Sequence, residues 1–217
     1  MTKPNLTIEA IRQEAATFAH EQSSCGEPKL YGATDGKAVG THIEHKFREY
    51  LDQRYDFTLG NTAKGIDFPN LNVDMKVTSI KQPQSSSPFK SARQKVCGLG
   101  YSLLVFVYEK SDDHDAKTAR LDMRHTIFVE SHRTADFTMS RIIREHVNSG
   151  ANVEDLLAVF EDRNLPVDDI EATRLAEELL KKPPEQGYLT ISNALQWRLQ
   201  YNRAITEAGS IQGIIRL

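Results

Sequence analysis

Apolar residues recur along this chain with two different periods, and the change of period divides it. From Thr7 to Gln22 the residues Ile8, Ile11, Ala15, Phe18 and Ala19 fall at helical spacing, which predicts a first amphipathic helix packed on a core. The segment Ser23 to Lys37 is rich in Gly, Pro, Ser and Asp and reads as an irregular loop. A second helix is expected from about Ala38, with Val39, Ile43, Phe47, Tyr50 and Leu51 on one face. The period then drops to two. In the run from Leu71 to Ser79, Val73, Met75 and Val77 alternate with Asp74, Lys76 and Thr78, so Asp74 and Lys76 point the same way from a half-buried strand.

Just before that strand, Gly65–Phe68 reads as the end of a preceding strand and Pro69–Asn72 as a turn. A hairpin through this turn brings Asp67 to the face that carries Asp74 and Lys76. After a polar loop, Lys81 to Lys90, the segment from Ser91 to Tyr101 predicts a short helix closing at Gly98 or Gly100. Ser102 to Lys110 is a continuous apolar run suited to a strand buried on both faces, the centre of a sheet. Ser111 to Asp122 reads as a charged surface excursion and His125 to Ser131 as a further strand. Beyond Thr134 the pattern is helical almost throughout, including a helix over Leu189–Ala208. The expected fold is α/β: a mixed central sheet flanked by helices, with a mainly helical C-terminal part. It forms a single domain over 1–217, with a catalytic core at 38–131 and a helical region at 134–217.

Composition excludes several classes. With 26% charged and 39% hydrophobic residues, the 217-residue chain has the balance of a globular protein rather than a disordered one. No stretch has the length of a membrane helix and the first residues lack a signal-peptide core, so a cytoplasmic location is the default expectation. Cys25 and Cys97 stand in no paired motif and are expected to be reduced thiols. A net charge of −3 argues against binding nucleic acid through bulk positive charge. The distribution changes the picture, because Met75 to Tyr108 contains no Asp or Glu while Lys76, Lys81, Lys90, Arg93 and Lys95 all lie within it. One local surface is basic on an otherwise acidic molecule.

Two carboxylates and an ammonium converging beside an apolar strand need a reason, since unpaired charge there is costly. An Asp74–Lys76 ion pair with Asp67 capping a turn is one. A bound divalent cation is another: Mg²⁺ takes hard oxygen ligands, so Asp67, Asp74 and the backbone carbonyl of Met75 would leave positions for a phosphate oxygen and a water. Lys76 is placed to hold or deprotonate that water and to offset charge developing on the phosphorus. Phosphodiester hydrolysis is the reaction such a set suits. Competing patterns fall short: His42-Ile43-Glu44 has the H-x-E of zinc deaminases but no P-C-x-x-C follows, and Asp112, Asp113, His114 and Asp115 read as a hydrated loop.

Asp67 followed by Asp74-Met75-Lys76 resembles the D…(D/E)-x-K signature of the PD-(D/E)XK nucleases, over roughly Ala38 to Tyr108. Ile66 stands where many members carry Pro. The resemblance implies that Glu44, on the preceding helix, is an additional metal or water ligand, and that Gln94 is a supporting polar residue. It further implies a stand-alone enzyme similar to type II restriction endonucleases, acting on double-stranded DNA with Mg²⁺, without a nucleotide cofactor, and leaving a 5′-phosphate and a 3′-hydroxyl. A structure-selective repair nuclease and a non-catalytic DNA-binding protein of the same fold remain alternatives. Expected DNA contacts are Lys81, Gln82, Gln84, Ser85, Ser86, Ser87, Lys90, Arg93, Gln94 and Lys95. Asn193, Gln196, Arg198, Gln200, Asn202 and Arg203 add side chains able to contact bases. Cutting both strands at a symmetric site calls for two active sites, hence a homodimer, with the C-terminal helices serving as interface or as reader of DNA.

Overall fold

The computed structural model describes residues 3–58, 60, 65–88, 90–192 and 196–217. Contacts divide the chain into two compact units: Met1–Ser85, Leu103–Val129 and Glu207–Leu217 form one, Ser86–Ser102 and Glu130–Thr206 the other. Of the expected core stretch 38–131, residues 86–102 and 130–131 fall in the second unit, while the first also takes in the N-terminal helix and the last residues of the chain.

In the first unit, β1 (Gly26–Glu27), β2 (Val73–Ser79), β4 (Ser102–Asp113), β5 (Thr118–Val129) and β8 (Ile214–Arg216) form a sheet of order β1-β5-β4-β2, with β8 also on β5. Strands β4 and β5 are antiparallel from Leu103↔Val129 to Asp113↔Thr118. Leu103 to Val107 are wholly buried, as the unbroken apolar run predicts. The charged segment Ser111–Asp122, expected as an excursion, is instead the outer half of this hairpin. Its tip is fastened by Tyr31 Oη to His114 Nδ1 at 2.9 Å and by the Gly32 N–H to Asp112.

Two helices pack on this sheet, α1 (Ile8–Ser23) against β5 and α2 (Gly36–Asp52) against β2. Thr7 caps α1 by accepting from the Ala10 N–H, and Asp35 caps α2 by accepting from the Lys37 N–H. The apolar stripes meet in an aromatic cluster in which Phe47 lies 5.1 Å from Phe18 and 5.2 Å from Phe106, ring centre to ring centre. Burying each such ring is worth about 1.5–3 kcal/mol. Glu14 of α1 accepts from the hydroxyls of both Tyr50 and Tyr55, so the two helices are also tied by charge-assisted bonds. The position of α2 matters most, because it carries Glu44 close to Asp67 and Lys76.

The second unit contains α3 (Arg93–Cys97), α4 (Phe137–Asn148), α5 (Val153–Asp162) and α6 (Asp169–Lys181), packed through Val96, Met139, Ile143, Leu156, Phe160, Leu175 and Leu179. A three-stranded sheet of order β3-β7-β6 accompanies them, from β3 (Gln84–Ser87), β7 (Trp197–Gln200) and β6 (Thr190–Ser192). The expected helix over Leu189–Ala208 is therefore corrected. Its described residues form the antiparallel β6–β7 pair and only a short helix, α7 (Asn202–Glu207). Trp197, Leu199 and Tyr201 are buried while Arg198 is exposed, a period of two that outweighs the helical reading.

Candidate active site at the start of strand β2

The tight chain reversal before β2 is built from its sequence. Phe68 and Val73 form an antiparallel bridge with Phe68 N–H to Val73 O at 2.9 Å and Val73 N–H to Phe68 O at 3.2 Å. Pro69–Leu71 makes one 3-10 turn and Asn72 takes φ of 54°, a left-handed position that Asn tolerates better than most residues. Phe68, buried at 1% exposure, anchors the turn against Phe57 and Phe47. No regular strand precedes this turn among the described residues; the Phe68–Val73 bridge and the Gly60 N–H to Asp67 O bond, 2.9 Å, do that work. Gly60 is required there, because a Cβ would stand 1.8 Å from the Ile66 carbonyl oxygen.

The reversal seats Asp67 on β2. Its Oδ2 accepts from the Met75 N–H at 2.8 Å, and its Oδ1 pairs with Arg48 Nη2. Asp74, 3% exposed, pairs through Oδ2 with Lys76 Nζ at 2.8 Å. Burial pushes the Asp74 carboxyl up to about 7, opposed by Lys76 and helped by the neighbouring Asp67 carboxyl. Glu44, half-buried on α2, is also raised, by burial first and then by the Asp67 charge, with Lys76 and Arg48 acting the other way. Five ionisable side chains from α2, the turn and β2 therefore share one electrostatic neighbourhood: Glu44, Arg48, Asp67, Asp74 and Lys76. Four of them are those the sequence singles out. Arg48 was missed, although it follows Glu44 by four residues on the same helix and so shares its face.

Among the described residues no three His, Cys, Asp or Glu side chains gather closely enough to make a metal site unaided. The carboxylates that do come together are those of Asp67 and Asp74, with Glu44 nearby. That set fits Mg²⁺, which commonly takes one or two carboxylates and completes its shell with phosphate oxygens and water. An ammonium beside the same carboxylates can orient a water and offset charge on a phosphoryl group.

The expected DNA-contacting residues separate by burial. Lys81, Gln82, Ser86, Lys90 and Arg93 are exposed and Gln84 and Ser85 half-buried. Thr78 fixes the turn after β2 by accepting from the Gln84 N–H at 3.0 Å, so Lys81 and Gln82 leave the strand in a defined direction. They line a cavity of about 520 Å³ with Thr34, Gly36, Ser79 and Lys110. Three of the ten side chains turn inward and are corrected as surface contacts. Ser87, 2% exposed, bonds the Tyr101 hydroxyl; Gln94 donates to the Leu99 carbonyl and accepts from the Lys90 N–H; Lys95, 8% exposed, lies over the Trp197 ring, its pKa lowered by burial against the pull of Asp136. Arg93 is exposed but pairs with Glu178. Of the residues expected to contact bases, Gln196, Arg198, Asn202 and Arg203 are exposed, Gln200 is half-buried, and Asn193 lies outside the described residues.

The profile of the type II restriction enzyme NspV family matches residues 5–216. The type II restriction enzyme NspV of Nostoc sp. is 62% identical over 210 residues, covering 97% of this chain and 96% of that protein. No solved structure matches the chain.

Proposed function

The chain belongs to the type II restriction enzyme NspV family and is a site-specific DNA endonuclease; we propose that it hydrolyses double-stranded DNA with Mg²⁺ at a centre formed by Asp67, Asp74 and Lys76. The observation that carries the assignment is the meeting of these three at the start of β2, with Asp67 on the Met75 N–H and Asp74 on Lys76. A divalent ion, when bound, supplies Lewis-acid activation of the scissile phosphate and acidifies the attacking water. Asp67, Asp74 and the Met75 carbonyl would hold it, with Glu44 as a further oxygen donor to the ion or its water.

Lys76 has the remaining chemical work. Its ammonium, held beside Asp74, would orient the attacking water and offset the charge that develops on the phosphoryl oxygens. In-line attack by that water leaves a 5′-phosphate and a 3′-hydroxyl. Lys81, Gln82, Gln84, Ser85, Ser86, Lys90 and Arg93 contact the DNA, chiefly its backbone, while Ser87, Gln94 and Lys95 support the fold around them. Because two strands of a symmetric site need two centres, the active species is a homodimer, acting in the cytoplasm without a nucleotide cofactor.

Single-turnover cleavage of a duplex carrying one recognition site tests this reading. Mg²⁺ and Mn²⁺ support cutting and EDTA abolishes it; cutting at the same rate in EDTA would overturn the metal assignment. Sedimentation velocity on the same sample reads the dimer, and a monomer that cuts both strands in one binding event would remove it.

A further inference from the structure

Asp67 spends both its oxygens inside the protein. Oδ2 takes the Met75 N–H at 2.8 Å, and Oδ1 takes the guanidinium of Arg48, whose side chain is 29% exposed against 17% for Asp67. The Arg48 Nε is buried and has no hydrogen-bond partner, so the guanidinium is held there by the carboxylate and not by a complete set of bonds. Lys76 covers Asp74 in the same way. Three carboxylates that would repel one another are thus met by two cations supplied by the chain itself.

We propose that Arg48 is an internal counter-cation that occupies, in the DNA-free enzyme, the Asp67 oxygen needed by the divalent ion, and so keeps metal affinity low until DNA is present. The inference rests on the metal-site reading above. A fixed positive charge a few Å from the site opposes a divalent ion, and a fork already bonded to Oδ1 must withdraw before that oxygen can ligate. A DNA phosphate entering the site brings negative charge that offsets Arg48, which couples metal binding to substrate binding. Arg48 acts through Asp67 and is a positioning residue, not a catalytic one.

Mn²⁺ titration by calorimetry and electron paramagnetic resonance, without DNA, tests this in the full chain. Arg48→Gln should bind Mn²⁺ at least tenfold more tightly than wild type. Arg48→Lys, which keeps the charge, should stay within about threefold of wild type. Arg48→Met provides a second charge-free variant should the glutamine protein fold poorly. Unchanged or weaker binding by a folded, charge-free variant overturns the proposal, since a residue that merely orients Asp67 would act in that direction. In the wild-type protein the Arg48 Nε–H resonance, assigned by its absence from Arg48→Lys, should move on saturation with Mg²⁺; a resonance that stays in place while Mg²⁺ binds would also overturn it. Asp67→Asn and Asp74→Asn separate the two levels. If both bind Mn²⁺ as wild type does, the metal-site reading itself has failed, whatever Arg48 does.

Discussion

Replacing Asp74 with Asn should stabilise the metal-free protein, and more strongly at high pH. Burial raises the folded-state pKa of Asp74 from its ordinary 3.8 to about 7. Below pH 3.8 the carboxyl is protonated in both states and has no effect. Between 3.8 and 7 the folded protein binds more protons than the unfolded chain, so rising pH removes stability, and the full penalty holds above 7. At about 1.4 kcal/mol per pH unit, the penalty reaches about 4 kcal/mol at pH 8 and is about 2 kcal/mol at pH 5. These figures already include the attraction of Lys76, because the raised pKa is the net of burial and ion pairing. Asn reproduces the neutral carboxyl in size and polarity. The advantage of Asp74→Asn should therefore grow by about 2–3 kcal/mol from pH 5 to pH 8, or by roughly 5–10 °C in melting temperature for a chain of this size. Thermal denaturation in EDTA at the two pH values measures it. An Asp74→Asn protein that melts no higher than wild type at pH 8, or with the same difference at both pH values, refutes the reasoning. Mg²⁺ should then raise the melting temperature of wild type and leave the variant nearly unmoved.

Three further outcomes follow from the same geometry. A carboxyl that ligates Mg²⁺ must be ionised, so under the proposed role of Asp74 cleavage at subsaturating Mg²⁺ should fall as pH drops through about 7, and more Mg²⁺ should shift the fall to lower pH; a profile indifferent to Mg²⁺ concentration would contradict this. Lys76→Gln should lower the single-turnover cleavage rate by about 10²–10⁴-fold with little change in DNA affinity, and a loss confined to affinity would assign Lys76 to binding instead. Removing Lys81 and Lys90 together should reduce the slope of log binding constant against log salt by up to about 2, and nearly equally for specific and unrelated DNA; an unchanged slope would place the DNA elsewhere.

The meeting of Asp67, Asp74 and Lys76 was legible in the sequence because its parts are local. Alternation over Val73–Ser79 fixes which way Asp74 and Lys76 point, and Pro69 and Asn72 mark the reversal that returns Asp67 to them. Arg48 was not legible because its role depends on how α2 lies against the turn, a packing relation that neither motif nor period encodes. The β4–β5 arm was hidden by charge: Arg120 and Asp122 are polar, yet Ala119 and Leu121, which alternate with them, are buried at 0%, so the period of two is present beneath a polar composition. The same period was hidden in Trp197–Tyr201, where tertiary pairing with β6 prevails over a composition that also suits a helix. Burial of Ser87, Gln94 and Lys95 was equally invisible, since polar residues in an acid-free run give no sign of which ones the fold encloses. Membership of the NspV family places the chain with restriction enzymes and not with the junction-cutting or non-catalytic alternatives.

The central claim is that Asp74, with Asp67 and Lys76, forms the centre that cuts DNA. Long duplex DNA of known sequence, incubated with Mg²⁺ and either wild type or a folded Asp74→Ala variant, tests it most directly. Wild type should give discrete, reproducible fragments and the variant should leave the DNA uncut. Fragments of the same pattern and rate from both proteins would contradict it.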